Sequence, residues 1–577
     1  MKNSGLTIRW IMKTITTYIL AVLIVLVSFC PSWADENEGT GIPVDAEGAQ
    51  VVPGDTALDT PPLVTPPDVA PRDQGARDLA APDKKKTPDT SQKIEKDPAQ
   101  KTFFGILALK DFVRLVMEKN ETVLAQHLDY QISQETITGE RAVFEPEFVN
   151  SYQRSNDHSK YSNEDKTSIL FASEKDERAA DFNAMVEGKI PTGAKLKAGY
   201  TLREYKDRAS STAQDQFKGY LGLEITQPLL KGGGDAIVAS IKVAKMDSKL
   251  AFQALRLKRM ETALNALSSC WDLYGAKEKL AIRKASVQIA QTILTDNRER
   301  FKLGKMAETE ILEAEAGLAK RKSQESRGQQ DLISAMNQVR TYVSLSDASV
   351  PLMIDFSDHE KIERIFPDLN DSVNDALKNR PEYLAAKKKI NRENILIRYA
   401  ENQRWPQLDL TGSYGINGLG DSPGDSWTDE LNEDYHTWKV GATLTIPLLG
   451  GLKTRSELAI AEHHKRQALL QLKSAEVEIA NRVDTSVKEV YSAFEQVDYS
   501  IRARKVYQRL LDVELVMLDA GRSNSRSVLD KEEDLNYARE SEIENVVYSK
   551  KAVLGLDMAQ GLLLKHYGID VSEEGLE

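Results

Sequence analysis

The 577-residue chain has little cysteine, few internal hydrophobic runs and, over long stretches, no proline. Only Cys30 and Cys270 occur, which excludes a disulfide scaffold. After residue 34 no segment has 18 consecutive apolar residues, so any membrane crossing would not use helices. No proline lies between Pro228 and Pro351 or after Pro447, which permits unusually long unbroken helices. Acidic residues outnumber basic ones, 88 to 76, and a formal charge of −12 argues against nucleic acid as the main partner. Catalytic signatures are also missing. There is no HExxH, and "KGGGD" and "GGLKT" lack the spacing of a phosphate loop and read as backbone turns. His463 and His464 are adjacent and point to different sides of a helix. No nucleophile–base pair stands in a recognisable local context. The chain is therefore expected to be no enzyme and to hold no cofactor or metal.

At the N-terminus, Lys2, Arg9 and Lys13 precede the apolar stretch "YILAVLIVLVSF" (Tyr18 to Phe29). "SWA" then places Ser32 and Ala34 at the −3 and −1 positions of a cleavage site before Asp35. The rival reading is a membrane anchor, but the apolar run is short for a span. Residues 35–100 hold ten of the 20 prolines and no Phe, Tyr or Trp. Such a composition cannot offset its conformational entropy by burial, and predicts a disordered leader.

The remainder reads as one plan used twice. A helical pattern over roughly 105–140 stops before Pro146, and a matching one over roughly 370–403 stops before Pro406. Period-2 segments follow. In 217–226, Phe217, Gly219, Leu221, Leu223 and Ile225 oppose Lys218, Tyr220, Glu224 and Thr226. Similar alternation fills 408–416 and 438–446, as strands with one apolar face require. A soluble sandwich face has the same pattern. A transmembrane barrel also needs strands of about nine to eleven residues, which these segments supply. Each set ends in a shared element, "QPLLKGGG" (Gln227 to Gly234) or "IPLLGGLK" (Ile446 to Lys453), the two prolines lying 219 residues apart (447 − 228). Pro228 and Pro447 remove a ladder donor, and Gly232, Gly233, Gly234, Gly450 and Gly451 allow a sharp turn into a helix.

After the turn the period changes to seven. Val243, Leu250, Leu257, Leu264 and Trp271 recur with Met246, Met260, Leu267, Tyr274 and Ala281. Leu469, Val483, Val490 and Val497, with Leu472, Ile479 and Ala493, repeat the seam more weakly. Cys270 lies beside Trp271 on the first seam and reads as a core residue. Each long helix breaks at a glycine, Gly304 or Gly521, and a further helical stretch follows that can fold back antiparallel.

This ordered set, present twice over about 105–568, resembles the TolC-like outer-membrane efflux protein family, the outer-membrane factors of tripartite efflux and type I secretion systems. The resemblance implies an α+β membrane protein: a two-repeat protomer of a trimeric transmembrane β-barrel, continued by a long antiparallel coiled-coil α-barrel. It implies a passive conduit in the bacterial outer membrane with a large periplasmic part. Expected partners are two further copies in a homotrimer, a periplasmic adaptor (membrane fusion) protein, an inner-membrane pump of RND, ABC or MFS type, and outer-membrane lipid. Gly304 and Gly521 become adaptor-facing tips. Glu310, Arg522, Arg526 and Asp530 become a candidate periplasmic gate, although Ser523 and Ser527 stand where the family can carry arginine and an acid. The competing reading is a secreted or periplasmic coiled-coil structural protein.

The expected division is a signal peptide at 1–34, the leader at 35–100, a first repeat at 101–345, a linker at 346–369, a second repeat at 370–568 and a tail at 569–577. The first repeat has 82 residues between Pro146 and Pro228, against 41 between Pro406 and Pro447. The surplus alternates on both sides of "PTG" (Pro191 to Gly193) and predicts an extra hairpin. Six strands per protomer would give an eighteen-stranded barrel. A hairpin standing above a twelve-stranded barrel is the alternative.

Overall fold

The chain divides into two units, Met1–Lys96 and Asp97–Glu577. The computed structural model describes residues 106–160, 174–207, 216–345, 353–356, 364–431, 435–448 and 451–569, all in the second unit. The signal, its cleavage site at Ala34 and Asp35, the leader, Gly450 and the tail beyond 569 lie outside the described residues.

The alternating segments form one six-stranded antiparallel sheet. Its strands are β2 (Glu147–Lys160), β3 (Glu174–Lys189), β4 (Lys195–Asp207), β5 (Gln216–Pro228), β7 (Gln407–Gly420) and β8 (His436–Thr445), paired in that order. The register lines up one residue from each strand. Phe148, Val186, Ala198, Leu223, Tyr414 and Trp438 form an apolar row across the sheet. The adjacent row, Glu147, Glu187, Lys197, Glu224, Ser413 and Lys439, is polar and belongs to the other face. On the polar face Asp181 pairs with Arg203 at 2.5 Å and Glu187 with Lys197 at 3.1 Å. The apolar face is open: Trp438 is 68% exposed and Val440 71%. The strands run from 10 to 16 residues, longer at the upper end than the nine to eleven expected.

The extra hairpin lies within this sheet. Its turn at 190–194 sits where the strands meet the helices: Thr192 Oγ1 is 3.0 Å from Gln227 Oε1, and Gln227 Nε2 donates to Thr192 O at 3.0 Å. β3 and β4 therefore run the whole height of the sheet, which has six strands rather than four.

Two helices dominate the rest, α3 (Ala239–Lys302, 64 residues) and α8 (Leu452–Asp519, 68 residues). At 1.5 Å per residue each is about 100 Å long. Each is packed by two shorter helices in succession. α2 (Glu121–Arg141) and α4 (Glu308–Tyr342) line α3, while α6 (Pro381–Gln403) and α9 (Ser525–Gln560) line α8. The seams supply the cores. Met260, Leu267 and Trp271 are buried with Val339 and Leu554, and Ile479, Val483 and Val490 with Ala552 and Leu556. Among the described residues no helix is long and apolar enough to cross a membrane.

Two details depart from the sequence reading. Each opening helix is in fact two. α1 (Leu109–Lys119) breaks from α2 at Asn120, whose side chain caps α2 and also donates to Tyr342 O at 3.2 Å. α5 (Leu369–Asn379) breaks from α6 at Arg380, because Pro381 starts the new helix at its first position. A short parallel pair, β1 (Ile106–Ala108) with β6 (Met353–Asp355), also ties the start of the first repeat to the inter-repeat segment. Three-residue strands give no readable period. The small helix α7 (Pro423–Leu431) lies between β7 and β8, and α10 (Leu563–His566) follows α9.

Candidate functional site

The four connections between the sheet and the long-helix bundle fall at one end of the sheet. At the first turn, β5 ends on Pro228, Gly232 and Gly234 take φ of 79° and 61°, and Gly233 lies between them. Asn402, in the last turn of α6, clasps this turn. Its Oδ1 accepts from Gly232 N at 2.8 Å and its Nδ2 donates to Leu230 O at 3.1 Å. At the second turn Pro447 follows β8, and Gly451 caps α8 with φ 66°. Thr454 Oγ1 donates back to Gly451 O at 2.9 Å.

At the opposite end of the helices are two tips. Gly304 joins α3 to α4 with φ 67°, and Gly521 joins α8 to α9 with φ 70°. Left-handed backbone is costly for residues with a Cβ, so both tips need glycine. Of the expected gate residues, Glu310 lies in the first turn of α4. Its carbonyl accepts from Asn297 Nδ2 at 3.3 Å, while its Oε2 is buried without a partner. Arg526 pairs with Glu313 at 3.3 Å, not with Glu310 or Asp530. Arg522 and Asp530 are exposed. Within one protomer, therefore, the four residues share the tip region but do not bond to one another.

Besides the exposed Arg526–Glu313 pair and the apolar packing of Leu529 on Leu294 and Leu318, buried polar groups link the two repeats near the tips. Ser525 Oγ donates to Asn297 Oδ1 at 2.8 Å. Further along, Arg321 of α4 and Glu532 of α9 form an ion pair at 2.7 Å, 4% and 1% exposed. Ser286 and Leu529 O accept further hydrogen bonds from that guanidinium. In a chain that is 28% charged, nothing in the sequence separates these two residues from their solvated neighbours. Cys270 is fully buried, and burial pushes its thiol up, which leaves it unreactive. Among the described residues no cluster of His, Cys, Asp and Glu could hold a metal ion.

The chain thus joins a two-faced antiparallel sheet to paired helices of up to 68 residues, an arrangement shared with solved outer-membrane channels. Residues 372–561 match the family described as Outer membrane efflux protein. Outer membrane protein TolC of Escherichia coli is 23% identical over 295 residues, covering 50% of this chain and 58% of that one. Outer membrane efflux protein BepC of Brucella suis is 22% identical over 331 residues, covering 55% and 66%. These alignments thus span less than two thirds of either relative. The crystal structure of the Campylobacter jejuni CmeC outer membrane channel superposes with a TM-score of 0.58 at 14% identity, over 81% of this chain and 87% of that one. The chain is similar in sequence to TolC-like outer-membrane efflux proteins and shares the fold of the solved channel.

Proposed function

We propose that the protein is the outer-membrane channel of a tripartite efflux or type I secretion system, a passive conduit that acts as a homotrimer. One observation carries this reading. The sheet has an open apolar face and a polar face, and its edge strands β2 and β8 are unpaired among the described residues. In lipid a free edge leaves backbone donors and acceptors unsatisfied, so the sheet must close on copies of itself. Three copies with six strands each make an eighteen-stranded barrel, its polar rows facing a water-filled lumen.

The helices give the same answer through the internal repeat. α6 and α9 touch α8 of their own repeat and also reach α3, as in the Arg392–Asp247 pair at 2.6 Å and the Arg283–Glu540 pair at 2.9 Å. α2 packs on α3 alone among the long helices, and its outer stripe, Leu124, Leu128 and Ile132, is exposed. α8 likewise has a bare flank with Leu470 and Val477 exposed. In a trimer α2 and α4 of one protomer meet α8 of the next, completing the relation that α6 and α9 have to α3. The helices continue into the periplasm, where the Gly304 and Gly521 turns meet an adaptor protein and Glu310, Arg522, Arg526 and Asp530 narrow the mouth. An inner-membrane pump supplies the energy.

Native mass and conductance test this together. Protein extracted in gentle detergent should be trimeric and should open ion-conducting pores in planar bilayers. A monomer from membranes with intact export, or a protein confined to the soluble periplasm, returns the structural coiled-coil reading. Strand number has its own test: Thr192→Cys should resist an impermeant thiol reagent on intact cells. Labelling there overturns the eighteen-stranded barrel.

A further inference from the structure

The connection from β7 to β8 carries the nine-residue helix α7, folded down onto the sheet at the end away from the long helices. It lies on the apolar face, over a patch of glycine. Gly219 pairs with Gly418 and Phe217 with Gly420, in line with the apolar rows. A Cβ at Gly219 would fall 1.9 Å from Glu430 Oε1, one at Gly418 2.0 Å from Ser426 O, and one at Gly420 2.4 Å from Ser426 N. The close approach thus depends on the absence of side chains. Polar and aromatic contacts fix the helix. Leu419 N donates to Asp429 Oδ2 at 3.0 Å, and Ser426 Oγ, wholly buried, donates to Gly418 O at 3.2 Å. The Tyr200 ring meets Trp427 edge-on at 5.1 Å.

One group in this cradle lacks a partner. Glu430 is 1% exposed, and neither of its carboxyl oxygens has a hydrogen-bond partner. Among the described residues no cation pairs with it. β4 places Tyr200, Glu204 and Lys206 on the same face by register. β5 presents Phe217, Gly219 and Leu221, and β7 presents Ile416, Gly418 and Gly420. On α7 itself, Asp425 accepts from Ser422 Oγ and Asp429 from Leu419 N. An ionised carboxylate held there would be buried and unpaired, whereas a neutral carboxyl is tolerated far better.

We propose that α7 is a proton-operated latch, docked on the glycine cradle while the Glu430 carboxyl is neutral and released as it ionises. Burial, then the neighbouring Asp429 charge, pushes this carboxyl up from 4.5 to about 7. The sign follows from linkage. The docked state binds the proton more tightly, so docking is strongest below pH 4.5 and weakens as pH rises to about 7. Each pH step across that window is a factor of ten, so the docking equilibrium falls at most about 300-fold. Release uncovers the glycine rows of β5 and β7.

Hydrogen exchange on the full-length protein in lipid vesicles, at pH 5 and pH 8, tests the latch. After correction for intrinsic exchange rates, protection of amides 424–431 should fall at least tenfold between the two conditions, while β5 and β7 stay protected. Glu430→Gln, which keeps the shape and cannot ionise, should stay protected at both. Equal protection of the parent at both pH values overturns the latch, and so does an equal loss in Glu430→Gln. Should that variant fail to assemble, Gly219→Ala is read instead. It should leave α7 unprotected at both pH values, and parent-like protection refutes the cradle.

Discussion

The two repeats make the same strand-to-helix step with unequal support. The first turn is held from outside itself: Asn402 of the second repeat binds Gly232 and Leu230, and Gln227 is tied to Thr192 of the inserted hairpin. The second has Gly451 and the local Thr454 hydrogen bond, and among the described residues no side chain from another element reaches it. The long helices differ in the same way. α3 is flanked by helices of both repeats, α8 only by those of its own. In the proposed trimer each repeat is half of a unit whose other half comes from the other repeat, and the joint seen within one chain is that of α3 with α6 and α9. The inserted hairpin leaves this logic intact because it adds two strands, and so returns the chain to the same end of the sheet.

The internal joint should break most severely at its buried ion pair. Glu532→Ala strands the Arg321 guanidinium in a dry interface, which costs about 3–5 kcal/mol. One residue away, Glu533 pairs with Lys320 at 2.6 Å in the open, and Glu533→Ala should cost about 0–1 kcal/mol. Denaturant unfolding of the two variants measures the contrast. Equal losses would mean that the Arg321 joint does not hold the repeats together.

The proposed intersubunit joint should break at assembly. A doubly charged flank, Leu470→Asp with Val477→Asp, forfeits burial of two large apolar side chains, about 1.5–3 kcal/mol each, and adds desolvation of two carboxylates. Because neither site is buried in the protomer, helix content should persist while the trimer dissociates in gentle detergent. A trimer of unchanged stability would mean that α8 is not the receiving surface.

The unequal turns give a smaller effect. Asn402→Ala removes both clasps from the first turn and leaves Gly232 N and Leu230 O without them, about 1–3 kcal/mol. Thr454→Ala at the second turn removes one local hydrogen bond and should cost at most about 1 kcal/mol. Thermal unfolding of the pair settles the order, and a reversed order would contradict the asymmetry.

How much of this was legible in the sequence depends on what each feature is made of. Strands, seams and turns show as periods and as proline–glycine punctuation, because one buried face imposes its period on the chain. The extra hairpin was visible for that reason, since the alternation around Pro191 to Gly193 continues the pattern on either side, but whether it stood in the sheet or above it was not. The breaks at Asn120 and Arg380 were not, since a cap and a first-turn proline interrupt the backbone without disturbing the apolar stripe. The polar joints were hidden for a different cause. Arg321, Glu532, Asn297 and Ser525 acquire meaning only from helices more than 200 residues apart. The Glu430 cradle was hidden likewise, because three glycines on strands read as weak strand positions until a helix is laid over them.

The smallest effect is expected at the tips, where the comparison between repeats is least unequal. Glu310 and Asp530 occupy corresponding stretches after Gly304 and Gly521, yet only Glu310 is partly buried, with an unpartnered Oε2. Arg526 is already taken by Glu313 in the same protomer. If the proposed gate uses these acids, their partners must come from a neighbouring copy. The pairs would then be solvent-exposed, and each contributes about 0–1 kcal/mol. Single alanine variants should therefore leave resting conductance nearly unchanged, and the double variant should raise it several-fold with trimer stability unaltered. Glu313→Ala, which frees Arg526 for an intersubunit acid, should shift conductance the other way. A double variant with parent conductance would exclude Glu310 and Asp530 from the gate.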